Sequence, residues 1–299
     1  MTVAVVTDST AYLPVDLAAR HGIHVIPLQV AVGGVSHEEG RDVTSEQIAT
    51  ALREFVPVST SRPAPAAFSR MYAELSDAGA EAIVSIHLSA QMSATLSAAE
   101  LASASAPVPV TVVDSETIGM AMGFAVLAAA DLAAAGGDAG AVAEAARRHA
   151  QASTTVFYVD TLEHLRRGGR IGRASAMVGS ALAIKPLLTV RDGHIEPLER
   201  VRTASKALAR LEAHAQAAAT ELGRRDDVDG VDVAVHQLDS RDRAEVLAER
   251  LAREIPEVGR VLMVEVGAVV GAHVGPGTLA VVVAPRPSAH RSSISDDLS

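Results

Sequence analysis

The sequence predicts an α/β protein: a parallel-sheet α/β half followed by an α+β half. Three observations carry this. Short apolar runs at residues 3–6, 82–87 and 108–113 each lead into a segment bearing polar residues, Thr7-Asp8-Ser9-Thr10, His87–Ser93 and Asp114-Ser115. Helical patterns alternate with these runs, as expected of parallel strands covered by helices. Beyond residue 155 hairpin signals mix with helices, which suits a two-layer α+β arrangement. The expected divisions are 1–154, 155–285 and a disordered tail over 286–299 rich in Ser, Asp and Arg.

Each element has its own signal. After the strand at 3–6, Pro14 and segment 15–21 suggest a short helix. Residues 23–32 alternate loosely and read as extended chain, turned by Gly33-Gly34. Thr44 with Gln47 three residues later has capping-box spacing, so a helix runs to about residue 55. Phe68, Met71, Tyr72 and Leu75 fall three or four apart, the spacing of one helical face. Further helices are expected over 94–104, from Ile118, and over the Ala-rich 139–154. In the second half, 156–159 reads as a strand and 161–167 as a short helix, with a helix-like stretch continuing to 183. Segments 185–190 and 195–200 flank Arg191-Asp192-Gly193-His194, a hairpin signal. A long helix over 205–222 precedes strand, helix, strand and strand at 231–237, 244–254, 261–266 and 278–283.

Composition narrows the function classes. Apolar residues make up 48% but aromatics only 2%, so the interior is aliphatic and suits either closely packed helices or a smooth cavity. A formal net charge of −10 disfavours nucleic acid and anionic membranes as partners. With no cysteine there are no disulfides, thiolate metal sites or cysteine nucleophiles, which fits the cytoplasm. The N-terminus lacks the basic and apolar blocks of a signal peptide. The longest apolar run, 118–130, ends at Asp131, short of the roughly 20 residues that span a bilayer. Neither a P-loop nor a dinucleotide fingerprint follows the first strand.

The candidate site residues are mostly hydroxyls at strand ends. Thr60, Ser61 and Ser93 can hold a carboxylate or phosphate without a metal, and Ser93 precedes a helix whose dipole favours an anion. Plain N-capping is the competing reading of Ser93. Asp8 and Asp114 are read as acceptors of backbone N–H groups that shape their loops. His273 lies in the Gly/Pro-rich run Val269-Val270-Gly271-Ala272-His273-Val274-Gly275-Pro276-Gly277-Thr278, read as a loop between strands and a credible ligand contact. Residues 166–173, with Lys185, Arg200 and Arg202, are basic against an acidic chain. They can guide an anionic partner or form a solvated loop with ordinary ion pairs.

Taken in order, several segments form a recognisable set. These are Val5-Val6-Thr7-Asp8-Ser9, Ser59-Thr60-Ser61-Arg62-Pro63, Ile86-His87-Leu88-Ser89-Ala90-Gln91-Met92-Ser93-Ala94-Thr95 and Val112-Val113-Asp114-Ser115. They continue with Tyr158-Val159-Asp160-Thr161-Leu162, Leu165-Arg166-Arg167-Gly168-Gly169-Arg170-Ile171, Lys185-Pro186-Leu187-Leu188, Arg202-Thr203 and His273-Val274-Gly275-Pro276-Gly277. The set resembles the DegV family, whose characterised members bind fatty acids and supply them to fatty acid kinase.

The resemblance implies an acyl tunnel between two domains. In it Thr60 and Ser93 hold the carboxylate, Ser61 lies beside Thr60, and His273 lies near the head group. Arg170 and Arg202 match basic positions near the mouth, for partner docking or phosphoryl transfer. It also implies a carrier that is not itself catalytic and needs no cofactor. A separate kinase subunit brings ATP and metal, the product feeds phospholipid synthesis, and membrane contact is transient. The chain departs from the family's usual Ser-Ser-Gly-Leu-Ser-Gly-Thr loop at residues 88–95, where alanine replaces glycine but Ser93 is kept. Two other readings stand beside the carrier: a stand-alone enzyme acting on a small carboxylated or phosphorylated metabolite, and a regulatory interaction protein.

Overall fold

The computed structural model describes residues 1–177 and 185–287. The helix-like stretch expected up to 183 passes, beyond residue 177, outside the described residues, as does the tail from 288. The first half contains β1 (Val3–Asp8), α1 (Val15–Arg20), β2 (Ile23–Ile26), β3 (Gln29–Val32), β4 (Val35–Glu38), α2 (Ser45–Arg53) and β5 (Val58–Ser61). It continues with α3 (Pro65–Asp77), β6 (Ala82–His87), α4 (Thr95–Ser103), β7 (Val110–Asp114), α5 (Met120–Ala134) and α6 (Ala139–Ala152). The expected parallel sheet is present, with order β2-β1-β6-β7. Thr44 caps α2 as its spacing predicts: its Oγ1 accepts from the Gln47 backbone N–H at 3.2 Å, and Gln47 Oε1 accepts from the Thr44 N–H at 2.8 Å.

The single extended stretch expected over 23–32 is two strands in two sheets. β2 joins the parallel sheet, whereas β3 pairs antiparallel with β4 and β5 in a separate three-stranded sheet. The break falls at Pro27, which has no N–H to donate to a continuing ladder. Thr60 thereby lands on an edge strand, paired with Val30.

The second half contains β8 (Thr154–Tyr158), α7 (Glu163–Arg167), β9 (Lys185–Arg191), β10 (His194–Val201), α8 (Ala204–Leu222) and β11 (Val228–Gln237). Then follow α9 (Arg241–Glu254), β12 (Val258–Glu265), α10 (Ala268–Val274) and β13 (Leu279–Pro287). One six-stranded mixed sheet has the order β10-β9-β8-β13-β11-β12, with only β11 and β12 parallel. The β9–β10 turn is the predicted one, with Asp192 and Gly193 both at positive φ. Two expectations are corrected. Residues 269–278 are not all loop, because α10 occupies their first part and carries His273. The last strand reaches Pro287, taking in the first two residues expected to belong to the tail.

Side chains alternate across the six-stranded sheet. Val156, Tyr158, Val233, Val281 and Val283 pack with Leu211, Leu247 and Leu251 of α8 and α9. The opposite face turns towards the first half. α5 is buried around most of its circumference, as expected of a helix that is apolar on every side. One hydrophobic cluster joins its Met122, Phe124 and Val126 to Val84 of β6 and to Ala234, Val282 and Ala284 of the second half. The core is thus continuous between the two sheets.

Candidate functional site

A cavity lies where that second sheet face meets the carboxyl ends of the parallel strands, the place open α/β sheets offer to ligands. Its floor is Ile195, Val190, Phe157, Ala280 and Val282, with Thr155 and His236 among them. Tyr12, Leu28, Leu88 and Ile118, just beyond β1, β2, β6 and β7, form the roof, and Val269, Val270 and Val274 of α10 form a wall. The atom-free space is about 970 Å³ including the open mouth.

The polar groups gather at one end. Thr60, Ser61, Arg62, Ser93, Arg170 and His273 all line the cavity. His273 Nε2 and Thr60 Oγ1 lie 2.7 Å apart. Burial, reinforced by the Arg170 charge, pushes the His273 imidazole down to about 4, so the ring is neutral near pH 7. With its proton on Nε2, the ring donates to Thr60 and leaves the threonine hydroxyl proton for an anionic acceptor. A side chain at Gly168 would run into His273 Nδ1, so glycine there is what lets the basic loop close over the ring.

Ser93 is not the N-cap of α4: that position is Ala94, which has no side-chain cap bond, and Ser93 stands one residue before it. Its Oγ accepts from the Thr95 N–H at 3.3 Å in the first turn of α4 and lies 2.9 Å from Thr95 Oγ1, while also facing the cavity. Arg170 ties the loops together, donating from Nε to Met92 O at 3.2 Å and from Nη1 to Gly168 O at 2.6 Å. Ser61 and Arg62 are exposed at the mouth. Arg202 is not brought to this end: it is exposed between β10 and α8 and does not line the cavity.

Residues that the sequence did not single out hold α10 in place. Glu39, 5% exposed, accepts from the Val269 N–H at 2.7 Å, from Ser9 Oγ at 2.5 Å and from Tyr12 Oη at 3.3 Å. The Val270 N–H in turn donates to Tyr12 Oη at 3.3 Å. Burial raises the Glu39 carboxyl and the Tyr12 phenol above their ordinary values. These bonds satisfy backbone donors at the start of α10 and so set the height of His273. No local pattern marks Glu39, because Ser9 and Tyr12 lie 30 and 27 residues away and Val269 lies 230 away.

The two aspartates behave as read. Asp8 accepts from the Thr10 N–H, Thr10 Oγ1 and the Leu88 N–H at 3.0, 2.5 and 3.1 Å. Asp114 accepts from the Ala90 and Glu116 N–H groups. Asp8 also meets His87 Nδ1 at 3.0 Å, and His87 Nε2 meets Ser85 Oγ at 2.7 Å. That is the order of a hydrolase triad, yet all three residues are fully buried. Ser85 is held by Tyr72 Oη at 2.9 Å, and Phe68 stands edge-on to His87. A substrate has no path to this serine, so the relay braces the core.

Among the described residues, no group of three or more His, Asp or Glu side chains is gathered to hold a metal ion, and no helix is long and apolar enough to cross a membrane. Residues 2–286 match the family model described as "Uncharacterised protein, DegV family". A DegV domain-containing protein of Streptomyces coelicolor is 52% identical over 284 residues, covering 95% of this chain and 99% of the relative. Two solved structures share the fold. A DegV family protein from Thermus thermophilus, described by its fatty acid binding, has a TM-score of 0.88 at 34% identity, covering 96% of this chain and 100% of that one. DegV of Bacillus subtilis, described as a fatty acid binding protein, has a TM-score of 0.86 at 31% identity with the same coverage.

Proposed function

The chain belongs to the DegV family, and we propose that it binds a long-chain fatty acid in this cavity and presents the carboxylate to a separate ATP-dependent kinase. One observation carries the reading: an aliphatic cavity ends in a cluster of hydroxyls, an imidazole and an arginine. Each buried methylene contributes roughly 0.8 kcal/mol, so the tail supplies most of the affinity. The head group is ionised near pH 7 and needs orientation rather than activation. Thr60 and Ser93 donate to it, His273 fixes the Thr60 hydroxyl, and Ser61 lies beside Thr60 at the mouth. Arg170 sits where negative charge accumulates during phosphoryl transfer.

In that transfer a carboxylate oxygen attacks the γ-phosphorus of ATP. The bond from γ-phosphorus to the bridging oxygen breaks, giving acyl phosphate and ADP. ATP and metal come with the partner subunit. Arg202, exposed away from the cavity, is assigned to contact with that partner. A small polar metabolite would leave most of the aliphatic floor unused, which disfavours the stand-alone enzyme.

Thr60→Val and Ser93→Ala test the head-group assignment. Hydrogen bonds to a charged group contribute about 1.5–3 kcal/mol, so each change is expected to raise the Kd for palmitate by roughly ten- to a hundredfold. Calorimetric titration of delipidated protein reads this, with thermal melts as the folding control. Unaltered affinity in both variants would refute the assignment.

A further inference from the structure

Two buried histidines act across the joint between the two halves, and neither belongs to the head-group end. His236 stands on β11 of the second half. Its Nε2 accepts the Met120 N–H at 3.1 Å, at the start of α5 in the first half. Tyr12, also of the first half, stands edge-on to its ring at 6.0 Å. His149 lies on α6 of the first half. That helix packs on β13, and the ring feels the charge of Arg260 on β12.

Neither ring has a place for a second proton. His236 Nδ1 and His149 Nε2 are sealed from solvent and have no hydrogen-bond partner among the described residues. The neutral His236 ring carries its proton on Nδ1, because Nε2 is the acceptor for Met120. A second proton would land on Nε2, donor against donor, and the bond across the joint would be lost. A charged His149 ring would carry a sealed N–H without an acceptor, near the Arg260 guanidinium. Burial pushes both rings down to about 4, with Arg260 adding to the effect at His149.

The surrounding charges are engaged elsewhere. Arg260 is held by Asp232 at 3.0 Å. Around α6, Asp131 of α5 pairs with His21, Asp114 of β7 accepts backbone N–H groups, His87 of β6 is held by Asp8, and Arg286 of β13 donates to Asp229 O. Beside His236, Glu265 of β12 is exposed, and the Tyr12 phenol, bonded to Glu39, stays neutral. Glu39 works the other way, because burial raises its carboxyl and the closed form takes up its proton more readily. His273 is lowered like the other two, but a bound carboxylate beside it offsets this.

We propose that the joint is an acid-sensitive latch: mild acid, by protonating His149 and His236, loosens the contact between the two halves and releases the acyl chain held there. This rests on the fatty-acid reading. The closed form binds fewer protons than the open one. Its stability is therefore full above about pH 6.5, the ordinary histidine value, and falls as the pH drops towards 4. At pH 5 each ring favours the open form about thirtyfold more than at pH 7.5, and the two together roughly 900-fold.

The test follows the Met120 amide by NMR hydrogen exchange, corrected for the intrinsic rate, in the palmitate-loaded full chain from pH 7.5 to 5. Mass spectrometry reads the palmitate retained after gel filtration, and far-UV circular dichroism is the folding control. In wild type, Met120 protection is expected to fall by about two to three orders of magnitude and palmitate to be shed, while the circular dichroism holds. His149→Gln cannot titrate and should cut the fall to about thirtyfold. His236→Gln, whose amide oxygen can still accept from Met120, should do the same, and either variant decides the point if the other fails to fold. Unchanged Met120 protection in wild type, a fall equally large in the variants, or loss of the circular dichroism over the same pH range would overturn the proposal and leave the fatty-acid reading intact. If wild type holds no palmitate at pH 7.5, the fatty-acid reading falls and takes this inference with it.

Discussion

Ala280→Phe is expected to weaken long-chain fatty acid binding by about two orders of magnitude with little change in melting temperature. Ala280 stands on the cavity floor between Phe157 and His236. A phenyl ring there would occupy space that the tail needs. Displacing about four methylenes removes on the order of 3 kcal/mol of burial, about a hundredfold in Kd. Overpacking a filled core usually costs about 1–3 kcal/mol, but here the ring enters open volume. Short-chain acids, whose tails stop before Ala280, should be less affected. Titration of acids of increasing length against both proteins checks this, and equal loss at every length would contradict the placement of the tail.

Asp8→Ala is expected to produce the largest loss of stability. Asp8 is fully buried and meets four groups: two of Thr10, the Leu88 N–H and His87. Alanine would strand these donors inside the sheet and break the relay through Ser85 to Tyr72. Leaving a buried donor unsatisfied typically costs about 1–3 kcal/mol, and several are stranded here, out of a total stability of about 5–15 kcal/mol. Urea unfolding should show the midpoint falling sharply, or no folded protein at all. A change below about 1 kcal/mol would mean that the Asp8 network contributes little.

The same residues show what a sequence can reveal. Strand β6 and the capped helix α2 were legible because their signals are local: apolar runs, turn residues and capping spacing. Thr60 and Ser93 were legible as hydroxyls at element ends, and their family pattern pointed to one site. The split between β2 and β3 was readable at Pro27 but was masked by the loose alternation on either side. Helix α10 was hidden for a different reason. Its segment is rich in Gly and Val, poor helix formers, and is fixed by Glu39 and Tyr12 from the far end of the chain. The sheet order was equally non-local, since the last strand, β13, inserts between β8 and β11. His236 did leave a signal, as a polar residue in the apolar end of a strand, but only the register shows which cavity it faces.

The most direct test of fatty acid carriage is denaturing mass spectrometry of small molecules released from the purified, natively folded protein. The account predicts a long-chain fatty acid at near-stoichiometric amount, restored when delipidated protein is offered fatty acid. Protein that releases no acyl chain and takes up none when offered would contradict it.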